Sequence, residues 1–291
     1  MKISVSSYSF QRLLSAGKMT QFDCISKAKE MGFDAIEFVG IEPHDGSTRE
    51  EYARRLREEC DRCGLEVSNY TISADFLRGS NGDLDAEVER VKKEVDLAAI
   101  LRAPGMRHDA TWGFRPGEEY RGFDLVLPRL AEGCRRVTEY AQTKGVRTMV
   151  ENHGFYCQDS DRVTKLVQAV NHENFGLLCD MGNFLCVDED PVHAMSQTAP
   201  FAFYAHAKDF IVKSGSGANP GKGFFGTRGG NYLRGTIIGH GVVPVRQCLS
   251  ILKTAGYQGT IAIEFEGMED VLEGISIGLE NLRRYTEEVR F

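Results

Sequence analysis

An eightfold alternation of short apolar runs with longer amphipathic stretches constrains this chain more than any other feature of its sequence. The runs are rich in β-branched and aromatic residues, which favour strands. Strands that alternate with helices form parallel sheets, and eight such units in 291 residues are typical of a closed barrel. The sequence therefore predicts an α/β fold, a (β/α)₈ TIM barrel, with strands within residues 2–8, 35–40, 66–72, 105–110, 147–152, 175–181, 201–207 and 260–266.

The stretches between these runs carry helix start and stop signals. The segment "STREEYARRLREECDRCGL" begins with a Ser/Thr–x–x–Glu pattern and closes at Gly64. A glycine stands at the same helix-to-strand junction in "AKEMGFDAIEF", "AQTKGVRTMV" and "LKTAGYQGTIAIEF". An open, doubly wound sheet is the alternative fold. It would more naturally carry a G-x-G-x-x-G turn after its first strand, and "SVSSYSF" has none.

We expect one domain over residues 1–291, because no Pro/Ser-rich linker or low-complexity tract divides the chain. A glycine-rich stretch at about 213–241, called the insertion below, interrupts the pattern after the seventh strand. Long loops in compact domains are usually functional, so we expect the insertion to cover the carboxyl-end face and help close a site. A disordered insertion is the alternative. The insertion carries four cations that could hold an anionic substrate group: Lys213, Lys222, Arg228 and Arg234.

The net charge and the hydropathy pattern argue against several classes of partner. The net charge of −7 argues against a nucleic-acid groove, which usually needs a basic surface, and weakly against an anionic membrane. The first residues lack the apolar core of a signal peptide, and no run approaches the length of a spanning helix. We therefore expect a cytoplasmic protein with no nucleic-acid or membrane partner. A homo-oligomer is left open.

Four successive late strands each carry one side chain that can bind a metal. Glu151 ends the fifth run, Asp180 the sixth, His206 lies in the seventh and Glu264 in the eighth. Active sites of (β/α)₈ barrels lie at the carboxyl ends of the strands, so the four should converge. Buried carboxylates need a compensating cation. Three carboxylates and one imidazole suit Mn²⁺, Mg²⁺ or Co²⁺, and Zn²⁺ fits this oxygen-rich set less well.

The motifs "VENHG", "CDMGN", "HAKD" and "IEFEG" around these residues resemble those of the xylose-isomerase-like superfamily of sugar isomerases and epimerases. The resemblance covers nearly the whole chain. It implies a (β/α)₈ barrel that acts on a small sugar or keto-polyol. It also implies a divalent metal, with Mn²⁺ favoured, held by Glu151, Asp180, His206 and Glu264.

The same resemblance implies that Glu151 and Glu264 act as an acid–base pair. Isomerisation or epimerisation next to a carbonyl removes a proton from carbon and returns it, through an enediolate that a metal stabilises. Many epimerases of this type have a histidine three residues after the strand-six aspartate, where this chain has Asn183. An amide cannot shuttle a proton. The difference leaves room for an inosose dehydratase-like lyase, or for an isomerase of an acidic or phosphorylated sugar.

Several other residues are candidates for substrate contact. His153 and Lys208 share side-chain parity with Glu151 and His206, so both could face the site. Glu37, which ends the second strand, could reach the pocket or form an ion pair. The remaining candidates for substrate binding are Asn183, Glu266, Arg107, His108 and Trp112.

Four functions from different classes follow from these observations. A metal-dependent isomerase or epimerase of a sugar or sugar derivative leads. A lyase on the same metal site, which removes water from a keto-polyol, is the alternative. A DNA-repair endonuclease shares this barrel, but would carry more histidine ligands and a basic face. A silent sugar-binding barrel would not need the intact metal quartet.

Overall fold

The computed structural model describes residues 1–115 and 117–291. Its eight central strands are all parallel and form one closed barrel, in which strands that follow one another along the chain lie side by side and the last pairs with the first. The predicted fold class, a single-domain (β/α)₈ barrel, is confirmed. The barrel strands are β1 (Ile3–Ser6), β2 (Ala35–Val39), β3 (Glu66–Ile72), β4 (Gly105–His108), β5 (Arg147–Glu151), β6 (Phe175–Asp180), β7 (Ala202–Ala207) and β11 (Ile261–Ile263).

A layer of helices packs around the barrel, and short 3₁₀ segments cover Ser7–Phe10, Gly79–Gly82, Asn183–Val187 and Ala199–Phe201. Among the helices that the structure describes, none combines the length and the apolarity required to cross a bilayer. The α-helices are α1 (Gln11–Ser15), α2 (Gln21–Met31), α3 (Arg49–Cys63), α4 (Leu84–Ile100), α5 (Phe123–Thr143), α6 (Ser160–Val170), α7 (Pro191–Thr198), α8 (Val245–Thr254) and α9 (Val271–Glu288).

The predicted helix signals form as expected. Thr48 and Glu51 make a reciprocal capping box at the start of α3. The glycines at the four helix-to-strand junctions all adopt a positive φ, which an L-residue reaches only at a steric cost. The local sequence therefore sets where these four helices end before the next strand, at Gly32, Gly64, Gly145 and Gly256.

Side chains fill the barrel interior. Met149, Leu178, Tyr204 and Ala262 form a small apolar cluster on the inner faces of four strands. The Tyr204 hydroxyl lies 2.7 Å from the Ser68 hydroxyl, so the polar end of this buried ring is hydrogen-bonded. Inward-facing residues nearer the carboxyl ends of the strands lie beyond this cluster, at the face where barrel active sites form.

The insertion is more regular than the sequence suggests. Three strands pair antiparallel in the order β8 (Asp209–Lys213), β10 (Tyr232–Thr236) and β9 (Phe225–Gly226). Asp188 holds the β9–β10 turn by accepting hydrogen bonds from Thr227 Oγ1 at 2.7 Å, from Asn231 Nδ2 at 2.8 Å and from the Gly229 amide at 2.5 Å. Sequence patterning missed all three strands: a single residue separates β8 from the end of the seventh barrel strand, and the glycines of β9 and β10 hide the alternation of a strand.

Candidate metal centre

The four predicted ligands meet at the carboxyl end of the barrel. Glu151 and Asp180 are the last residues of β5 and β6, His206 lies in β7, and Glu264 directly follows β11. Parallel pairing places Asp180 beside His206 on adjacent strands. Each of the four side chains offers one ligand atom within 4.8 Å of the others, and all four residues are buried.

His206 turns one ring nitrogen toward this centre and the other away from it. Its Nε2 lies 2.8 Å from Glu37 Oε2, which fixes the ring, and Glu37 also accepts a 2.6 Å hydrogen bond from Thr71 Oγ1. Its Nδ1 lies 3.6 Å from Asp180 Oδ2, 3.7 Å from Glu264 Oε1 and 3.8 Å from Glu151 Oε1. A carboxylate behind a histidine is the usual support of an imidazole metal ligand.

Two polar atoms at the centre test whether the site fits a cation. His206 Nδ1 and Asp180 Oδ2 are buried and make no hydrogen bond among the described residues. Such atoms are rare in folded proteins unless an ion or water satisfies them. Burial alone would lower the pKa of His206, but Glu37 and Glu264 raise it well above its usual range. The carboxylates therefore favour positive charge at this point, and the donor set fits a divalent metal.

Glu151 is oriented by neighbours on both oxygens. Arg107 lies 2.7 Å from its Oε2, and the Asn183 amide donates to its Oε1 at 2.9 Å. Burial raises the pKa of Glu151 despite the arginine beside it. Arg107 also lies 2.9 Å from Asp109, so one buried guanidinium joins two carboxylates.

Lys208 is the second buried cation of the site. Its Nζ lies 2.8 Å from Glu266 Oε1, 3.1 Å from Asn183 Oδ1 and 3.2 Å from Asp180 Oδ2, and it contacts Glu264 Oε2 closely. Burial would lower the pKa of Lys208, but these carboxylates raise it well above its usual value. Burial likewise opposes charge on Glu264, yet Lys208 and His206 hold its pKa well below the usual range. Lys208 is therefore a charged donor at the edge of the centre.

A cavity of about 530 Å³ opens above this centre. Asp180 and His206, which are fully buried, do not line it. The structure brings most of the residues predicted from the sequence to its wall, including Glu151, Glu264, His153, Asn183, Lys208, Glu266, Arg107 and Trp112.

His108 is the exception among the predicted substrate contacts, and its expected role is not supported. Successive side chains of a strand point to opposite faces, so with Arg107 facing inward His108 faces the helices. Its ring packs against Phe76 and Phe175 at centroid distances of 5.6 and 6.2 Å, and its Nδ1 lies 2.9 Å from the Asp109 carbonyl oxygen. The register of this short strand was not readable from the sequence.

Asp109 is a site residue that the sequence reasoning missed. Its Oδ1 lies 2.9 Å from His153 Nδ1. The Trp112 and His153 rings pack edge-on beside it, with their centroids 4.9 Å apart. Burial would raise the pKa of Asp109, but Arg107 and His153 hold it below its usual value. Its parity with Arg107 along the chain was the available signal, because residues two apart on a strand share a face.

The insertion reaches the cavity, but its cations do not. Phe225 and Gly226 of β9 line the wall. Arg228 points away and lies 2.8 Å from Asp159, while Arg234 stacks on Phe224 at 5.7 Å. Lys213 and Lys222 are exposed, and none of the four cations belongs to the described wall. The expectation that they hold an anionic substrate group is therefore corrected.

Comparisons with known proteins agree with this architecture. The family model described as "Xylose isomerase-like TIM barrel" matches residues 25–285. An inosose dehydratase of Geobacillus thermodenitrificans is 22% identical over 86% of this chain and 83% of its own length. The rhizopine catabolism protein MocC of Rhizobium meliloti is 27% identical over 92% of this chain and 82% of its own length.

Solved structures show the same fold. The crystal structure of a xylose isomerase-like TIM barrel protein from Mycobacterium smegmatis, in complex with magnesium, superposes with a TM-score of 0.69 at 18% identity. The match covers 92% of this chain and 89% of that one. At this level of identity the likeness concerns the fold.

Proposed function

The chain belongs to the family of xylose isomerase-like TIM barrels, and from that premise we propose that it is a metal-dependent enzyme acting on a small polyhydroxylated ketone. The reaction would begin with removal of the proton next to the carbonyl. The observation that carries this proposal is the pair of buried ligand atoms that make no hydrogen bond among the described residues, His206 Nδ1 and Asp180 Oδ2, beneath a cavity with Glu151 and Glu264 in its wall.

The residues that would hold the metal are Glu151, Asp180, His206 and Glu264. A divalent ion bound there would supply a Lewis acid that polarises the substrate's carbonyl oxygen and makes its α-proton more acidic. The three carboxylates and one imidazole suit Mn²⁺, which we propose as the first metal to test beside Mg²⁺, Co²⁺ and Zn²⁺.

Glu151 is suited to accept the proton. Arg107 and Asn183 fix the direction of its carboxylate, and burial raises its pKa, so it is more basic than an exposed glutamate. Proton abstraction by an oriented carboxylate needs the acceptor within hydrogen-bond reach of the carbon acid. A ketone seated over the centre would meet both Glu151 and Glu264, because both line the cavity.

We propose dehydration as the overall reaction, because Lys208 supplies a donor for the leaving group. After Glu151 takes the α-proton, the C–O bond on the neighbouring carbon breaks and Lys208 gives the departing hydroxide a proton, so that water leaves. The ammonium group of Lys208 contacts Glu264, Glu266 and Asn183 at the edge of the cavity, where a substrate hydroxyl would lie. The inosose dehydratase relative supports the same outcome.

Isomerisation or epimerisation is the second candidate, favoured by the presence of both Glu151 and Glu264 in the cavity wall. In that reaction Glu264 would take a proton from Lys208, which it contacts closely, and deliver it to the carbon, and no C–O bond would break. The first step is common to both reactions. The two candidates differ in whether the product has lost the mass of water.

One experiment separates these outcomes. Mn²⁺-loaded protein is incubated in D₂O with inososes and neutral keto-sugars, and products are followed by mass spectrometry. A product lighter by one water supports dehydration. Deuterium incorporation without loss of water supports isomerisation or epimerisation. If no substrate shows either change, the proposal is contradicted. Lys208→Gln should abolish water loss while leaving α-proton exchange, whereas Lys213→Gln, an exposed lysine on β8, is the matched control.

We also propose that the insertion closes the cavity. Phe225 lines the wall and is 38% exposed, and Asp188 holds the turn that follows it. Phe225→Ala should raise KM more than it lowers kcat, because it removes contact surface without touching the centre. An unchanged KM for the true substrate would show that the insertion has no part in binding.

A further inference from the structure

The side chains around the cavity carry an excess of negative charge. Three carboxylates are in the wall and three lie directly behind it, against two cations, Arg107 and Lys208. The six carboxylates are Glu151, Glu264, Glu266, Asp180, Glu37 and Asp109. A divalent ion would offset two more of the six charges. With His206 bound to that ion as a neutral ring, the site would be negative by two, and a proton on His153 beside Asp109 would still leave it negative by one.

Both cations are already engaged by carboxylates. Arg107, with a side chain 6% exposed, lies within 2.9 Å of both Asp109 and Glu151. Lys208, with a side chain 3% exposed, lies within 3.2 Å of Asp180, Glu264 and Glu266. An incoming phosphate or carboxylate would have to displace one of these partners and leave it unpaired in a buried place, which is strongly unfavourable.

The uncharged part of the wall includes four partly exposed aromatic rings. Tyr8, Trp112, Phe155 and Phe225 line the cavity, and between 38% and 46% of each residue is exposed. Rings of this kind pack against the C–H faces of a polyol while its hydroxyls turn toward polar groups. They offer no charge to balance an anion.

From these contacts we infer that the cavity binds an uncharged polyhydroxylated ketone and rejects phosphorylated or carboxylated analogues of the same skeleton. This inference rests on the proposed function for the ketone, and adds to it the charge of the substrate. Bringing a negative group to a site with a surplus of buried carboxylates is a repulsive contact that discriminates between otherwise similar ligands.

The chain supplies its own reporter for a test. Trp112 is the single tryptophan, and it lines the cavity, so its fluorescence can follow binding without turnover. Mn²⁺-loaded protein is titrated with matched pairs: D-fructose and D-fructose 6-phosphate, D-ribulose and D-ribulose 5-phosphate, and an inosose beside its phosphate monoester. We expect at least one neutral member to bind at least about tenfold more tightly than its charged partner.

Glu266→Gln sharpens the test, because it keeps the side-chain shape and removes one negative charge beside Lys208. It should bring the affinities of the two members of a pair closer together. Glu42→Gln makes the same charge change at an exposed position outside the wall, and should leave the ratio as it is. Equal effects of the two variants would contradict a local origin of the discrimination.

Tighter or equal binding of the phosphorylated members, or no binding by any neutral member, overturns the inference. The proposed function fails separately. If neutral ketones bind preferentially but none exchanges its α-proton, the inference stands and the enzymatic proposal falls. If a phosphorylated ketone is turned over, the enzymatic proposal stands and the inference falls.

Discussion

Strands β5, β6, β7 and β11 supply the four candidate metal ligands, whereas strands β2 and β4 supply the side chains that hold those ligands in place. Glu37 in the middle of β2 fixes the imidazole of His206 on β7, and Arg107 on β4 fixes the carboxylate of Glu151 on β5. One half of the barrel thus presents the donors, and the other half orients them. We call these the ligand half and the support half.

The difference lies in what each half does with its buried charge. In the ligand half, Asp180 Oδ2 and His206 Nδ1 keep no hydrogen-bond partner among the described residues. In the support half, both carboxylate oxygens of Glu37 are hydrogen-bonded, and Arg107 pairs with Asp109 and Glu151, while its Nε makes no hydrogen bond among the described residues. Acceptor atoms without a hydrogen bond mark the place for a cation, and the paired groups beside them keep its geometry.

The largest effect is expected from the ligand half. Asp180→Asn keeps the Oδ1 that accepts from the Gly182 and Asn183 amides, both at 2.8 Å, and replaces Oδ2 by a group that cannot bind a cation. Metal binding should be lost, and turnover should fall by roughly 10³-fold or more, since a bound metal contributes several kcal/mol.

Metal content by mass spectrometry and the thermal midpoint of the apoprotein are the measurements. The midpoint should stay near that of the wild type, because one of three converging carboxylates is neutralised. Asp161→Asn, at an exposed position of α6, is the control. Full Mn²⁺ occupancy in the Asp180 variant would show that the quartet is not the metal site.

Arg107 tests the support half for stability. Arg107→Met would leave Asp109 and Glu151 buried without their cation, and breaking a buried pair from one side costs roughly 3–5 kcal/mol in the free energy of unfolding. Arg147→Met removes the same charge from the opposite end of the adjacent strand, where the arginine stacks on Phe203. That control should cost about 1 kcal/mol.

Urea unfolding of both variants gives the comparison. A loss at Arg107 no larger than the loss at Arg147 would mean that Asp109 and Glu151 do not depend on the guanidinium, and the division between the two halves would be wrong for β4.

These two halves were not equally visible in the sequence. A carboxylate such as Glu151 or Asp180 at the end of an apolar strand has no local explanation, so it points to a site. Eight repeated units fix the topology, and topology then brings the ends of neighbouring strands together. The fold and the family were predictable for this reason. That the quartet binds a metal stays a prediction, although the structure places its four ligand atoms together.

The supporting contacts were hidden because they depend on side-chain direction between distant strands. Glu37 and His206 are 169 residues apart, and nothing in either local sequence indicates that they touch. Arg107 and His108 are adjacent, and only the register of β4 decides which of them faces inward. A shift of one residue exchanges the two faces of a strand.

Glu37 should have a smaller effect, confined to the metal. Glu37→Gln keeps the size of the side chain but presents either an amide oxygen or an amide nitrogen to His206 Nε2, and weakens the hold on the ring. Loss of such a supporting carboxylate typically lowers metal affinity by about 10–100-fold.

Calorimetric titration with Mn²⁺ measures this change. Glu66→Gln on β3, an exposed glutamate at the other end of the barrel that pairs with Lys2, should leave affinity unaltered. If the two variants bind Mn²⁺ equally well, Glu37 serves the fold and not the centre.

His108 should have the smallest effect on the site and should report instead on the protein's response to acid. Burial lowers its pKa from 6.5 to about 4, so the folded protein keeps it neutral where the unfolded chain takes up a proton. Since the unfolded state binds more protons between these values, this residue makes stability fall as the pH drops from 7 toward 4. The loss in the free energy of unfolding that is attributable to His108 between pH 7 and pH 5 should be about 2 kcal/mol.

His108→Leu should flatten that part of the profile of stability against pH. At pH 7 it should cost about 1 kcal/mol in the free energy of unfolding, because it removes the hydrogen bond to the Asp109 carbonyl, and it should leave kcat/KM within about twofold. His240→Leu, at an exposed position, should leave the profile unchanged. If His108→Leu instead lowers kcat/KM strongly and leaves the dependence of stability on pH unaltered, His108 lines the cavity, and β4 presents its other face to the substrate.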